Sequence, residues 1–319
     1  MRIGLDIMGG DYAPEPIVAG AIDAHAEFGG EHTIVLFGDA DKGKAICQAR
    51  NFDPEHFEWV HATQVIGMGE FPARAFTKKP DSSIAVAYKY LHSGKIDVFA
   101  SAGNTGAMLV GAMYTIKPIP GIIRPAISAI LPRPDGKNGV ILDVGLNVDS
   151  KPDVLYQYGV LGSIYAREIL NIEQPRVALL NIGEEPEKGN VAVQSTYESM
   201  KGTDDFHFVG NMESSYLFTA EKADVVVCDG FVGNVVMKEA EAFYAMIKDK
   251  MPSDANGFMG RFDFERIGGT PILGVNANVI IGHGVSREKA TKQMVAHAID
   301  ISSANLPNRF KEIFLKWLK

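Results

Sequence analysis

The sequence predicts an α/β protein with a three-layer α/β/α architecture, in which a doubly wound, mostly parallel sheet lies between helices. Two observations lead to this prediction. Short apolar runs such as VALL at 177–180 show no alternation with polar residues, which is typical of strands buried on both faces. These runs also alternate along the chain with segments of helical periodicity, as in a doubly wound fold.

Each predicted strand is followed by a loop that contains glycine. The predicted strands cover residues 3–7, 33–37, 96–100, 140–144, 177–181, 224–228 and 279–281. The predicted helices include residues 14–28, 153–170 and 287–303, and Gly94 and Gly202 stand where two further helices should end. Because the carboxyl ends of parallel strands meet at one edge of a sheet, we expect the glycine loops to share one ligand-binding cleft.

Residues 1–308 are interpreted as a single α/β domain. Within it, residues 251–269 (MPSDANGFMGRFDFERIGG) have the composition of an excursion from the sheet. Residues 309–319 are interpreted as a basic amphipathic tail, because Phe310, Ile313, Phe314, Trp317 and Leu318 follow helical spacing among basic residues. Such a helix either lies in a membrane interface or docks on the protein itself.

Composition narrows the class of protein. The chain has 319 residues, 46% of them hydrophobic, and a net charge of −8, which argues against a general nucleic-acid binder. Two cysteines form neither a disulfide framework nor a metal-ligand pattern. The N-terminal stretch lacks the layout of a signal peptide, and no apolar run reaches the length of a membrane span. We therefore expect a cytoplasmic protein without a bound metal.

Several known motifs are absent or incomplete. No G-x-G-x-x-G follows the first predicted strand, and no G-x-S-x-G supplies a serine nucleophile. Residues 38–44 match the spacing of a P-loop, but Ala45 stands where the magnesium-binding hydroxyl would be, so we interpret this stretch as a surface loop. Cys228 lies in an apolar run and is expected to be a core residue rather than a nucleophile.

The stretch SAGNTGAML at 101–109 joins a predicted strand to a helix with almost no large side chains. Exposed backbone N–H groups and the positive end of a helix dipole suit an anion such as phosphate. The alternative is a tight turn in which small residues only allow close packing. Several such loops at one edge favour a ligand rich in phosphate or otherwise anionic.

Charged side chains accompany these loops. Arg74, Lys78 and Lys79 precede a predicted helix, and for Lys79 a solvated side chain is the simpler interpretation. Lys188 is better placed, in a loop after a buried strand. His283, between two glycines after the last strand, is either structural or part of the site.

Eight motifs occur in order and together resemble the bacterial acyl-acyl-carrier-protein:phosphate acyltransferases of phospholipid synthesis. They are LDIMGGD, KKPDSS, SAGNTGA, LDVGLNVDSKP, LLNIGEE…KGN, FVGNMES, VVVCDGFVGNVVMK and HGVS. The resemblance covers residues 2–303. It implies a fold similar to the isocitrate dehydrogenase and phosphotransacetylase groups. The implied reaction is attack of orthophosphate on the thioester of a long-chain acyl–acyl carrier protein, with no cofactor.

The resemblance also implies a homodimer and delivery of the acyl phosphate to a membrane glycerol-3-phosphate acyltransferase, so we expect peripheral contact with the inner face of the membrane. The loop residues described above, combined with this implied reaction, suggest three sets of site residues. Expected catalytic groups are Lys188, Asp229, Asn234 and His283. Expected binding groups are Gly10, Asp11, Ser101, Gly103, Asn104, Thr105, Gly106, Asn147 and Gly233. Arg74, Lys78 and Lys79 are expected to contribute to carrier-protein docking.

Other functions remain open on the sequence. A phosphotransacetylase acting on acyl-CoA would share the chemistry but not the carrier. A dehydrogenase on a related fold is disfavoured, because the sequence lacks a dinucleotide motif and a cluster of metal-binding acids. A non-catalytic scaffold that binds acyl ligands would use the same loops without turnover.

Overall fold

The computed structural model describes residues 1–250 and 257–318, and it confirms the α/β class. The chain divides into two compact units. Unit 1 comprises Met1–Pro118 and Phe264–Asn305, and unit 2 comprises Ile119–Asp263 and Leu306–Lys319. Each unit has its own mostly parallel sheet and helices, and elements are numbered along the whole chain. The interpretation of residues 1–308 as one domain stays a prediction.

Unit 1 contains a six-stranded sheet in the order β3-β2-β1-β4-β11-β10, in which only β10 is antiparallel to its neighbour. Its strands are β1 (Arg2–Asp6), β2 (Thr33–Gly38), β3 (Glu58–His61), β4 (Val98–Ser101), β10 (Thr270–Leu273) and β11 (Asn278–Ile281). Its helices are α1 (Glu15–Phe28), α2 (Ala40–Ala49), α3 (Pro72–Lys78), α4 (Ser83–His92), α5 (Thr105–Gly111), α9 (Phe264–Ile267) and α10 (Glu288–Ala304).

Unit 2 contains a five-stranded sheet in the order β5-β6-β9-β7-β8, in which β5 is antiparallel to β6 and the other pairs are parallel. Its strands are β5 (Ala126–Pro132), β6 (Asn138–Leu142), β7 (Arg176–Asn181), β8 (His207–Glu213) and β9 (Val225–Val227). Its helices are α6 (Pro152–Glu168), α7 (Val191–Met200), α8 (Gly230–Ile247) and α11 (Leu306–Phe314).

All seven strands expected from apolar runs are confirmed, as β1, β2, β4, β6, β7, β9 and β11. The sequence analysis missed β3, β5, β8 and β10. β3 and β8 end the strand order of their units, and polar or glycine residues interrupt their apolar pattern. β5 and β10 are the antiparallel strands, and prolines stand beside or within them. A long, buried parallel strand leaves a clearer pattern than these.

A buried ion-pair network anchors the sheet of unit 2. Asp224, next to β9, accepts hydrogen bonds from Arg133 Nη1 at 2.8 Å and Arg176 Nε at 3.0 Å. Burial alone would raise the pKa of Asp224, but the bonds from Arg176 and Arg133 outweigh it and lower the pKa to about 2. The network therefore stays ionised at neutral pH and joins β7 and β9 to the end of β5.

Of the predicted excursion at 251–269, residues 251–256 lie outside the described part of the chain. The described remainder contains a short 3₁₀ helix, Met259–Phe262, and α9. Arg261 donates hydrogen bonds to the backbone oxygens of Arg133 and Lys137, so this part of the segment is held against the β5–β6 hairpin. The boundary between the two units falls directly after Asp263.

The apolar side chains of the C-terminal tail lie in two different environments. Phe310 and Phe314 are buried in α11, which packs against α6. Trp317 and Leu318 follow the end of that helix and are 39% and 60% exposed. Docking on the protein therefore accounts for the first part of the tail. Lys319 lies outside the described residues.

Candidate active site

In unit 1, the loops after β1, β4 and β11 are joined by backbone hydrogen bonds. Asp11 N–H donates to Gly284 O at 2.7 Å, and Gly282 N–H donates to Ser101 O at 2.8 Å. Gly10 has a φ of 109°, which favours glycine and lets the first loop turn towards the third. The sequence prediction that these three loops gather at one edge is therefore confirmed within this unit.

A buried carboxylate that the sequence analysis missed organises two of these loops. Asp6, 1% exposed, accepts Met8 N–H at 2.9 Å and the Ser101 hydroxyl at 2.7 Å. Ser101 Oγ in turn accepts Gly103 N–H at 2.9 Å. Burial raises the pKa of Asp6, against the opposing effect of these hydrogen bonds. The signal in the sequence was an acid at the end of an otherwise apolar strand.

The polar side chains of the 101–109 stretch have internal partners. Ser101 is fully buried on Asp6, as described. Asn104 caps α5 by accepting Ala107 N–H, and its Nδ2 donates to backbone oxygens of residues 67, 68 and 70. Thr105, by contrast, is exposed. Gly106 packs so closely on α3 that a Cβ would lie 2.3 Å from Pro72 Cγ. Binding by this loop would therefore rely on its backbone and on Thr105.

Unit 2 contains an equivalent buried acid, Asp143, after β6. It is fully buried and accepts the N–H groups of Ile127 at 2.9 Å, Leu146 at 3.3 Å and Asn147 at 2.6 Å. Burial raises the pKa of Asp143, and the hydrogen bonds from Ile127 and Asn147 oppose that effect. Asn147 Nδ2 is also used internally, on Asp143, Pro125 O and Tyr158. Its side chain therefore shapes the loop.

The start of α8 is packed directly onto this loop. Gly230 N–H donates to Asn147 O at 2.7 Å. A Cβ at Gly233 would lie 2.0 Å from Asp143 O, so only glycine allows this close approach of two backbones. Asn234 is exposed on the next position, and its side chain lies over Gly145. The predicted residues Asn147, Gly233 and Asn234 are thus brought together.

The loop that carries Lys188 is held in place by amide side chains. Asn181 Nδ2 donates to Lys188 O at 3.0 Å, and Asn211 Nδ2 donates to Glu185 O at 2.8 Å. Gln194 Nε2 donates to Glu187 O at 2.6 Å. Lys188 itself is exposed, and α7 begins three residues later. The backbone that carries Lys188 is therefore fixed near a helix N-terminus, where an anion is stabilised.

The two candidates for proton transfer lie in different units. Asp229 in unit 2 is the N-cap of α8, and one of its carboxylate oxygens accepts Val232 N–H at 2.8 Å. His283 in unit 1 is half-buried, and its Nδ1 accepts Val285 N–H at 3.4 Å. The predicted roles of both residues, and the single cleft expected for all the loops, stay predictions.

The three basic residues predicted to dock a carrier protein differ in their surroundings. Arg74 and Lys78 are exposed on α3 of unit 1. Lys79 Nζ lies 2.5 Å from Glu70 Oε1 and 2.7 Å from Val65 O. Its charge is therefore engaged within the unit, which differs from the solvated side chain expected from the sequence.

The structure also decides two other sequence interpretations, that of the stretch resembling a P-loop and that of Cys228. Asp39 caps α2 by accepting Lys42 N–H, so the stretch that resembles a P-loop is the start of a helix rather than a surface loop. Cys228 is confirmed as a core residue, and burial raises the pKa of its thiol well above the usual value. Within residues 1–250 and 257–318, no group of three or more His, Cys, Asp or Glu side chains is arranged to hold a metal ion.

None of the described helices is both long enough and apolar enough to cross a bilayer.

Solved structures with this architecture include phosphotransacetylases. A phosphotransacetylase from Streptococcus pyogenes superposes with a TM-score of 0.67 over 96% of this chain and 94% of its own, at 17% identity. The likeness confirms the predicted fold group. The class of protein, an acyltransferase enzyme, follows from sequence relatives that are named phosphate acyltransferases.

Sequence relatives specify the family within that class. Residues 1–309 match the family described as "Fatty acid synthesis protein". A phosphate acyltransferase from Salinibacter ruber is 40% identical over 98% of this chain and 97% of its own length. One from Dictyoglomus turgidum is 42% identical over 92% of this chain and 91% of its own. The chain belongs to this family of bacterial phosphate acyltransferases.

Proposed function

We propose that this enzyme transfers a long-chain acyl group from acyl–acyl carrier protein to orthophosphate, yielding an acyl phosphate for phospholipid synthesis. A phosphate oxygen attacks the thioester carbonyl carbon directly. The new C–O bond forms, the C–S bond breaks, and the sulfur leaves with a proton as the free carrier thiol. Because phosphate is the nucleophile, the chain needs only to hold an anion and to stabilise the oxyanion that develops.

The observation that carries this proposal is the fixed backbone of the loop that presents Lys188. Three amide side chains, those of Asn181, Asn211 and Gln194, hold its loop beside the N-terminus of α7. A charge-assisted hydrogen bond from this cation is worth more than a neutral one to a phosphate or an oxyanion. Asn234 supplies an exposed amide in the same unit. In unit 1, considered by itself, Thr105 and the backbone N–H groups of residues 104–106 are proposed as donors to an anion.

A direct test is to mix the purified protein with palmitoyl–acyl carrier protein, with and without orthophosphate. The product is trapped with hydroxylamine after unreacted thioester has been removed. We expect hydroxamate and free carrier thiol to form in equal amounts, and only when phosphate is present. Turnover of acyl-CoA alone would favour a phosphotransacetylase instead. Tight binding of thioesters without turnover would favour the scaffold function.

We propose that an acidic carrier protein docks on α3 through Arg74 and Lys78. Both side chains are exposed, whereas Lys79 is engaged with Glu70. The double change Arg74→Glu with Lys78→Glu should raise KM for the carrier-bound donor about tenfold at low salt, and less at high salt, because surface charges act mainly on encounter. KM for acyl-CoA should stay the same.

The matched control for carrier docking is Lys201→Glu, which reverses an exposed charge at the end of α7 in unit 2. This variant should keep the KM of the unchanged enzyme for both donors. An equal rise in KM for carrier-bound and CoA-bound donors in the α3 variant would contradict docking at that helix.

We also propose a cytoplasmic enzyme that touches the inner face of the membrane through the end of its C-terminal segment, where it delivers acyl phosphate to a glycerol-3-phosphate acyltransferase. Trp317 and Leu318 are exposed beside Lys316, which suits an interface with anionic lipid.

The double change of Trp317 and Leu318 to serine should lower binding to anionic vesicles severalfold, as measured by co-sedimentation, without changing acyl transfer. Tyr114→Ser, at another exposed aromatic residue, is the control. Unchanged vesicle binding would contradict the proposal.

A homodimer is proposed as the working state. Its support is an exposed apolar stripe on α8 formed by Phe231, Val235, Phe243 and Met246. Large apolar side chains that share one helical face commonly mark a protein interface.

A further inference from the structure

Unit 2 contains a cavity that the proposed reaction has not yet used. It has a volume of about 320 Å³ and lies among β7 and the N-terminal parts of α6, α7 and α8. These elements meet at the carboxyl end of the parallel strands, where ligands bind in this type of fold. The volume is at the lower end of the range that is usual for small-molecule sites.

Apolar residues form most of the cavity lining. Leu155 from α6 and Leu179 from β7 line it and are almost completely buried. Ala192 and Val193 from α7 and Val236 from α8 form facing walls. The charged lining residues among those described are Asp149 and Asp229, which stand in the loops before α6 and α8. The apolar side chains suit a hydrocarbon rather than a sugar or a nucleotide base.

The mouth of the cavity is polar and adjoins the proposed catalytic groups. Asn190 and Asp229, the N-caps of α7 and α8, line it together with Gly189, which directly follows Lys188. Ile182 also lines the cavity and is 80% exposed. The lining thus changes from polar at the catalytic end to apolar inside. That polarity matches a ligand with a reactive polar head and a hydrocarbon tail.

We propose that this cavity receives the part of the acyl chain next to the thioester carbonyl. The inference rests on the proposed function and adds to it the location of the chain. The carbonyl lies at the mouth, close to the loop of Lys188, and the first methylene groups enter the space between Leu179, Ala192 and Val236. Each methylene buried there is worth roughly fourfold in affinity, so the cavity discriminates donors by chain length.

The test narrows the cavity with Ala192→Phe and compares acetyl, octanoyl and palmitoyl thioesters of one carrier protein. We expect kcat/KM to fall at least tenfold for octanoyl and palmitoyl donors and to change less than twofold for acetyl. Ser195→Phe, which places the same side chain on the exposed side of α7, should leave all three values unchanged. Should Ala192→Phe fail to fold, Val232→Phe narrows the same cavity at a half-exposed position.

Two results would overturn the inference: equal kcat/KM losses for all three donors in a folded Ala192→Phe variant, or no loss at all. A different result bears on the reaction itself. If the unchanged enzyme makes acyl phosphate from none of the donors, the proposed function fails. Binding of a fluorescent long-chain fatty acid then tests the cavity alone: weakening by Ala192→Phe but not by Ser195→Phe supports it, and equal binding by all three proteins refutes it.

Discussion

Replacing Lys188 with alanine is expected to lower kcat/KM for phosphate about 100-fold. The loss has this size because Lys188 supplies a positioned positive charge to an anionic nucleophile or to the oxyanion, and removal of one such donor typically costs that much. The side chain is exposed, so the free energy of unfolding should change by less than about 0.5 kcal/mol. Initial rates at limiting phosphate, together with urea unfolding, measure the two effects separately.

Lys201→Ala is the matched control for Lys188, since it removes an exposed lysine from the same unit at the far end of α7. It should leave both the rate and the stability unchanged. Lys188→Arg keeps the charge but changes its geometry, and an intermediate rate is expected. A Lys188→Ala enzyme with normal turnover at limiting phosphate would show that this cation has no part in the reaction.

Replacing Asp143 with alanine is expected to lower the free energy of unfolding by about 3 kcal/mol or more. The change leaves the N–H groups of Ile127, Leu146 and Asn147 without their acceptor in a buried place, and each such donor costs about 1 to 3 kcal/mol. Because Asn147 O receives Gly230 N–H, the start of α8 should shift as well. We therefore expect kcat to fall more than the folded fraction does.

The stability effect is measured by urea unfolding, and the positioning effect by kcat per folded molecule. Asp143→Asn preserves the size of the side chain but turns an N–H₂ group towards backbone donors. Its free energy of unfolding should therefore lie between those of Asp143→Ala and the unchanged protein. Asp135→Ala, at an exposed turn between β5 and β6, is the control and should cost about 0.5 kcal/mol at most. Normal kcat in the folded fraction of Asp143→Ala would restrict this residue to a structural role.

Asp6 and Asp143 suggest why both units present similar loops. Each acid follows or ends a buried strand, accepts backbone N–H groups from the next loop, and connects that loop to a neighbour through Ser101 or Asn147. A buried acid is tolerated when several donors surround it. The apolar runs around these residues predicted strands, but the loop partners of the acids could not be read from local pattern.

The sequence predicted those parts of the fold whose residue pattern depends only on their own burial. Parallel strands such as β6 and β7 are buried on both faces, so their apolar runs identify them without any knowledge of neighbours. β3 and β8 carry mixed patterns at the ends of their sheets. Strand pairing that depends on distant residues leaves no comparable mark in a single sequence.

For the candidate site, residue type and position in the chain predicted which loops matter but not what their side chains contact. Ser101 finds Asp6 at a separation of 95 residues, and Asn104 finds Gly67 O at a separation of 37. Lys79 is engaged with Glu70. Hydrogen bonds of this kind depend on which loops the fold brings together. From sequence alone, a polar residue in a glycine loop can equally bind a ligand or hold the loop in place.

The sequence by itself determined the α/β class, the glycine loops after the parallel strands and, through eight ordered motifs, the family. Tertiary structure decided that Ser101, Asn104 and Asn147 are used internally, that Lys188 is exposed in a loop fixed by amides, and that an apolar cavity opens beside it. The physical reason is the separation along the chain between the residues that interact. Burial on both faces of a strand marks every residue of a short segment, whereas a hydrogen-bond partner or a cavity wall comes from segments far apart in the chain.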